Sequence, residues 1–128
     1  MKIVLTIARI LLGLIFFLFG LNAFIRFLPI PAYHGTAETF LHLLIVTRYI
    51  FVVMALEVIG GALLLVHRYI PLALTLLGPV VINIFIFHLL MDRSLLPVAI
   101  IILVLWSFLL WSYREYFRRL FVARANAA

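Results

Sequence analysis

Four apolar stretches dominate the chain, covering about 3–24, 49–66, 71–90 and 95–113. Each is close to the roughly 20 residues that carry a helix across a hydrocarbon core about 30 Å thick. In lipid the backbone must satisfy its own hydrogen bonds, so such stretches fold as helices that pack on one another. The expected fold is all-α: a membrane-spanning four-helix bundle in one domain of 128 residues. Composition agrees, with 69% hydrophobic residues, 11% charged residues and a mean hydropathy of +1.37. Soluble domains are nearer half apolar, with about a quarter of their residues charged.

The longest connection, 26–48, contains "RFLPIPAYHGTAETFLHLLIVTR". Pro29 and Pro31 stop the first helix and extend the chain. Thr36 is then placed to N-cap a short helix over about 36–46, with Glu38 in its first turn. That helix is apolar but too short to span, which puts it at the membrane interface. The second span is short and has room to begin a turn earlier, inside "LIVTRY". The opening "MKIVLTIARILLGLIFFLFG" has the look of a signal peptide, but it carries Arg9 and no small-x-small cleavage site, so it is expected to stay as the first span.

The net charge of +6 forms no patch for nucleic acid, because the basic residues sit at chain ends and in short loops. Lys2, Arg68, Arg114, Arg118, Arg119 and Arg124 fall on one side; Arg26, Arg48 and Arg93 fall on the other. The positive-inside rule then places both termini in the cytoplasm. Tyr33 and Tyr49 would mark the outer boundary, and Tyr69, Trp111, Tyr113 and Tyr116 the inner one. The tail, 114–128, reads as a basic extension lying on anionic headgroups, so membrane lipids are expected partners. With no cysteine, the chain has no disulfide, thiolate metal site or dithiol relay.

A few polar residues interrupt the spans. Arg and Asp at a bilayer centre cost about 3 kcal/mol on insertion scales, and Glu57 should cost something similar unless partnered. Counted by helical rise from Arg48 and from Met91, Glu57 and Asn83 lie about 13 Å and about 12 Å below the outer boundary. Arg9 lies nearer the inner boundary, with a long side chain able to reach toward mid-membrane. The expectation is an Arg9–Glu57 ion pair with Asn83 as a hydrogen-bond partner. Arg9, Gly13, Phe16 and Gly20 share one stripe, Glu57 and Gly61 another beside Gly60, and Thr75, Pro79 and Asn83 a third. Glycines at such positions let helix backbones approach closely. Pro79 also frees the carbonyl of Thr75 as an acceptor. These residues either hold the helices in register or form the polar floor of a ligand cavity. A cavity there would be bounded by spans one to three and the interfacial helix, with Phe16, Phe17 and Phe19 as aromatic walls.

Outward of these lie His88 and Asp92 on one helix face, and Glu38 and His42 on another with His34 nearby. His42, His88 and Asp92 are weak candidates for a metal site, and His42 with His88 a weaker pair of haem ligands. No Walker loop, GxSxG, HExxH or dinucleotide-binding fingerprint is present.

"ARILLGLIFFLFGLN" (8–22), "LEVIGGALLLVHR" (56–68) and "GPVVINIFIFHLLMD" (78–92) resemble the DoxX family, the acidic-diglycine element most specifically. Ala23 departs from the pattern, standing where many members have a lysine after the asparagine. The resemblance implies a four-helix bacterial membrane protein and matches Arg9, Glu57, Gly60, Gly61, Asn83 and His88 to motif positions. It implies a quinone-linked accessory subunit of a membrane oxidoreductase system, with a quinone as candidate ligand and other membrane-protein subunits as partners. The alternative is a non-catalytic subunit packing against a larger respiratory or photosynthetic complex.

Overall fold

The computed structural model describes residues 1–29 and 32–127, so Pro31, expected to help extend the chain after the first helix, and the last residue of the tail lie outside the described residues. Five α-helices follow in order: α1 (Lys2–Asn22), α2 (Thr36–Val46), α3 (Tyr49–Val66), α4 (Ile70–Leu90) and α5 (Leu96–Ser112). All but α2 are long and apolar enough to cross a membrane, α5 together with the 3₁₀ turn Arg93–Leu95 that leads into it. The chain is a four-helix bundle with a short apolar helix between its first two spans. α1 packs on α3, α3 on α4, α4 on α5, and α5 back on α1, which closes the ring.

The helix ends follow from local chemistry. Gly35, at φ +65°, is the N-cap of α2, so Thr36 is its first helical residue rather than its cap. Glycine takes a positive φ without the steric cost a side chain meets there. Arg48 sits at φ +62° between α2 and α3. That reversal fixes the start of α3 at Tyr49 and prevents an earlier beginning. Asp92 accepts a 2.9 Å bond from the Ser94 hydroxyl and caps the Arg93–Leu95 turn. After α5 the chain continues as a 3₁₀ segment, Arg114–Phe121, with no buried residue. In it Arg118 pairs with Glu115 at 3.1 Å, while Arg114 lies over the Trp111 ring.

The core is tightest where α1, α3 and α4 meet, with Leu12, Leu64, Leu74 and Leu77 wholly buried. Between α1 and α3 the glycines allow backbone contact. A Cβ on Gly61 would lie 2.5 Å from the Phe17 amide nitrogen and 2.8 Å from the Gly13 carbonyl oxygen. Dispersion and close packing, rather than water exclusion, hold such a seam in lipid. Gly60 turns to the other side, where its Cβ would strike the Leu77 side chain at 2.6 Å. On the α4–α5 side, Trp106 packs over Gly78 and donates its indole N–H to the Leu74 carbonyl at 3.0 Å. Thr75 is exposed on the bundle surface, its hydroxyl bonded back to the Pro71 carbonyl, so it does not join the interior seam.

Candidate functional site

Glu57 faces α1 at the level of Gly20, where the two Cβ positions would be 2.9 Å apart. Arg9 lies eleven residues back along α1, about 16 Å by helical rise. The expected ion pair is therefore not made. Arg9 instead donates to the carbonyl of Leu64 and, at 3.3 Å, to that of Leu65. These carbonyls belong to the last turn of α3, where the Leu64 carbonyl also accepts a 3.3 Å bond from the His67 amide. A cation there also meets the negative end of the helix dipole. Arg9 is thus a cross-helix cap, satisfied by backbone oxygen.

Glu57 has no such partner. It is 4% exposed, and no donor among the described residues bonds its carboxyl group. Its oxygens face open space instead: Glu57 lines a cavity of about 640 Å³ in the half of the bundle that carries α2. The cavity lies between α1, α3 and α4, with α2 beside its mouth, as the sequence suggests. α5 adds a wall that the sequence does not reveal, through Val98, Ala99 and Ile102. Phe16 and Phe19 line it, whereas Phe17 packs at the seam with its backbone against Gly61. Phe40 of α2 stacks at a tilt on Phe87 of α4, with ring centroids 5.8 Å apart, and Tyr33 meets the same ring edge-on at 5.5 Å.

Asn83 and His88 share this cavity. Asn83 donates its amide to the Pro79 carbonyl at 2.7 Å and makes no bond to Glu57. His88 Nδ1 lies 3.1 Å from the Asp92 carbonyl oxygen and 3.9 Å from its carboxylate. Because a carbonyl only accepts, Nδ1 carries the proton in that bond. Tyr33 closes the same end; burial and then the Asp92 carboxylate push its phenol above the ordinary range. His42 is exposed on α2 and does not join His88 and Asp92; no group of three or more His, Asp or Glu side chains forms among the described residues. The three metal candidates form no such cluster.

Of the residues singled out by sequence, Glu57, Asn83 and His88 come together around one space. Arg9, Gly13 and Gly61 form the closed seam below it, with Gly20 at the junction and Gly60 against α4. Asn22 was legible only as part of the DoxX-like segment. It is buried and holds the turn after α1, its carbonyl oxygen accepting from the amides of Phe27 and Leu28 at 2.9 and 2.8 Å. A side-chain amide ending an apolar run before a proline-containing connection is the sequence signal for such a turn. Comparisons with family models, curated proteins and solved structures found no match.

Proposed function

We propose that the chain is a quinone-binding accessory subunit of a membrane oxidoreductase system, seated in a bacterial inner membrane with both termini cytoplasmic. The observation that carries this reading is Glu57: a buried carboxyl group with no hydrogen-bond partner among the described residues, lining an apolar cavity with aromatic walls. A purely register-holding role predicts the reverse, a polar side chain satisfied by its neighbours, as Arg9 is. Ligand sites are apolar cavities of about 300–1,000 Å³ with a few placed polar groups, and this one falls in that range. A flat ring fits aromatic walls, and a lipid tail can leave through the mouth beside α2. The DoxX-like segments supply the oxidoreductase context, with electrons coming from a partner subunit, since this chain has no cysteine to carry them.

The test is the quinone content of protein extracted into native-lipid nanodiscs, measured by mass spectrometry. Near one quinone per chain is expected for the wild type, with loss in a Val53→Trp variant that fills the cavity. The bulk-lipid ratio in both would overturn the reading. Orientation is tested separately: reporter fusions after Val66 are expected in the cytoplasm and those after Asp92 outside.

A further inference from the structure

A second space lies at the other end of α5. The cavity that holds Glu57 meets α5 near its start, at Val98, Ala99 and Ile102, whereas this one begins near its end. After Tyr113 the chain runs as the 3₁₀ segment Arg114–Phe121, whose apolar side chains face the last turns of α5 across a cleft of about 420 Å³. Leu110 and Trp111 form one wall and Phe117, Leu120 and Phe121 the other, with Arg114 as the one charged residue of the lining. Arg114 is held in place. Its guanidinium lies over the Trp111 ring, 4.4 Å from the centroid, and donates to the Trp111 carbonyl at 2.9 Å. A guanidinium has five N–H donors, so others stay available for a bidentate acceptor such as a phosphate.

The segment carries three arginines and one glutamate, and Glu115 pairs with Arg118. Arg114 and Arg119 have no acidic partner among the described residues. Leu120 and Phe121 border the cleft and are exposed although apolar. The arginines keep the segment at headgroup level, where such side chains need cover from water. A fixed cation at the boundary, with apolar walls reaching about one helical turn deeper to Leu110, repeats the order of a phospholipid: an anion, then a chain. We propose that the cleft holds one anionic phospholipid, its phosphate on Arg114 and an acyl chain between α5 and the segment. This is a single position, distinct from the general attraction of a basic tail to an anionic surface. A choline headgroup brings an ammonium that the arginines repel, and a glycerol headgroup brings none. The site stands whether or not a quinone occupies the other cavity.

The experiment is native mass spectrometry of the full chain released from nanodiscs that contain phosphatidylglycerol and phosphatidylcholine with matched chains in equal amounts. One retained phosphatidylglycerol per chain is expected, favoured about tenfold over phosphatidylcholine. Leu110→Trp fills the cleft with every arginine in place and is expected to abolish the retention. Arg114→Gln is expected to cut the preference to within about twofold, while Arg119→Gln, outside the lining, leaves most of it. Equal retention of both lipids by the wild type overturns the proposal. So does an equal loss in Arg119→Gln and Arg114→Gln, the mark of diffuse charge attraction, or a Leu110→Trp variant that keeps its lipid. If a variant does not fold, competition on the wild type decides. Excess glycerol phosphate, an anion without a chain, is expected to leave the lipid bound, and displacement would overturn the site.

Discussion

The α1–α3 pair behaves as two different interfaces along its length. Toward the terminal end, where α1 begins and α3 finishes, Gly13 and Gly61 bring backbones into contact, Leu12 and Leu64 fill the space, and Arg9 caps carbonyls in the last turn of α3. Toward the α2 end a cavity lies beside the same helices, and the carboxyl group of Glu57 there has no hydrogen-bond partner among the described residues. Both halves contain one buried ionisable residue, so burial alone does not separate a structural charge from a functional one. What separates them is satisfaction. Arg9 is satisfied by the carbonyls of Leu64 and Leu65, whereas Glu57 keeps its hydrogen-bonding capacity for something that no described residue supplies.

The largest expected effect that would break this contrast is at the closed half. Gly61→Ala places a methyl group against backbone atoms of Phe17 and Gly13 that have no rotamer to change. It is expected to cost about 3 kcal/mol, the upper part of the overpacking range, read from unfolding in mild detergent. A fully stable variant would mean that the backbones are not in contact. Arg9→Leu comes next. Losing charge-assisted bonds to the last turn of α3 is expected to cost about 2 kcal/mol, and Arg9→Lys to recover part of it. Asn22→Ala removes the acceptor for two loop amides near the bundle end and is expected to cost about 1 kcal/mol, with faster amide exchange at Phe27 and Leu28. The smallest effect sharpens the comparison most: coupling between Arg9→Leu and Glu57→Gln in a double-mutant cycle is expected below about 0.5 kcal/mol. A coupling of 1 kcal/mol or more would join the two halves that the structure separates.

Much of this architecture is legible in the sequence, for physical reasons that also explain what is not. Lipid demands long apolar helices, so the spans and the short α2 can be read from length and composition to within a few residues. Glu57, Asn83 and the glycines stand out because they violate that background. The Arg9–Glu57 pairing misleads because sequence reasoning matches charges with charges. The backbone carbonyls at the end of a neighbouring helix are equally good acceptors, and nothing in residue identity advertises them. Depth counting places each residue on its own helix, but the packing register between α1 and α3 is set by glycine contacts that bring Gly20, not Arg9, beside Glu57. The contribution of α5 to the cavity is illegible for a related reason: Val98, Ala99 and Ile102 differ in no way from residues that face lipid. Thr75 shows the converse, a polar residue on the stripe of Asn83 that bonds its own helix and faces outward.

The most direct test of the contrast is the infrared difference spectrum of the protein with and without a short-tailed quinone as probe, recorded across the carboxyl and carboxylate region. A band assigned to Glu57 by its disappearance in Glu57→Gln is expected to shift when the probe binds, and to be unaffected by Arg9→Leu in the unliganded protein. A Glu57 band that responds to Arg9→Leu and ignores the bound probe would contradict the account.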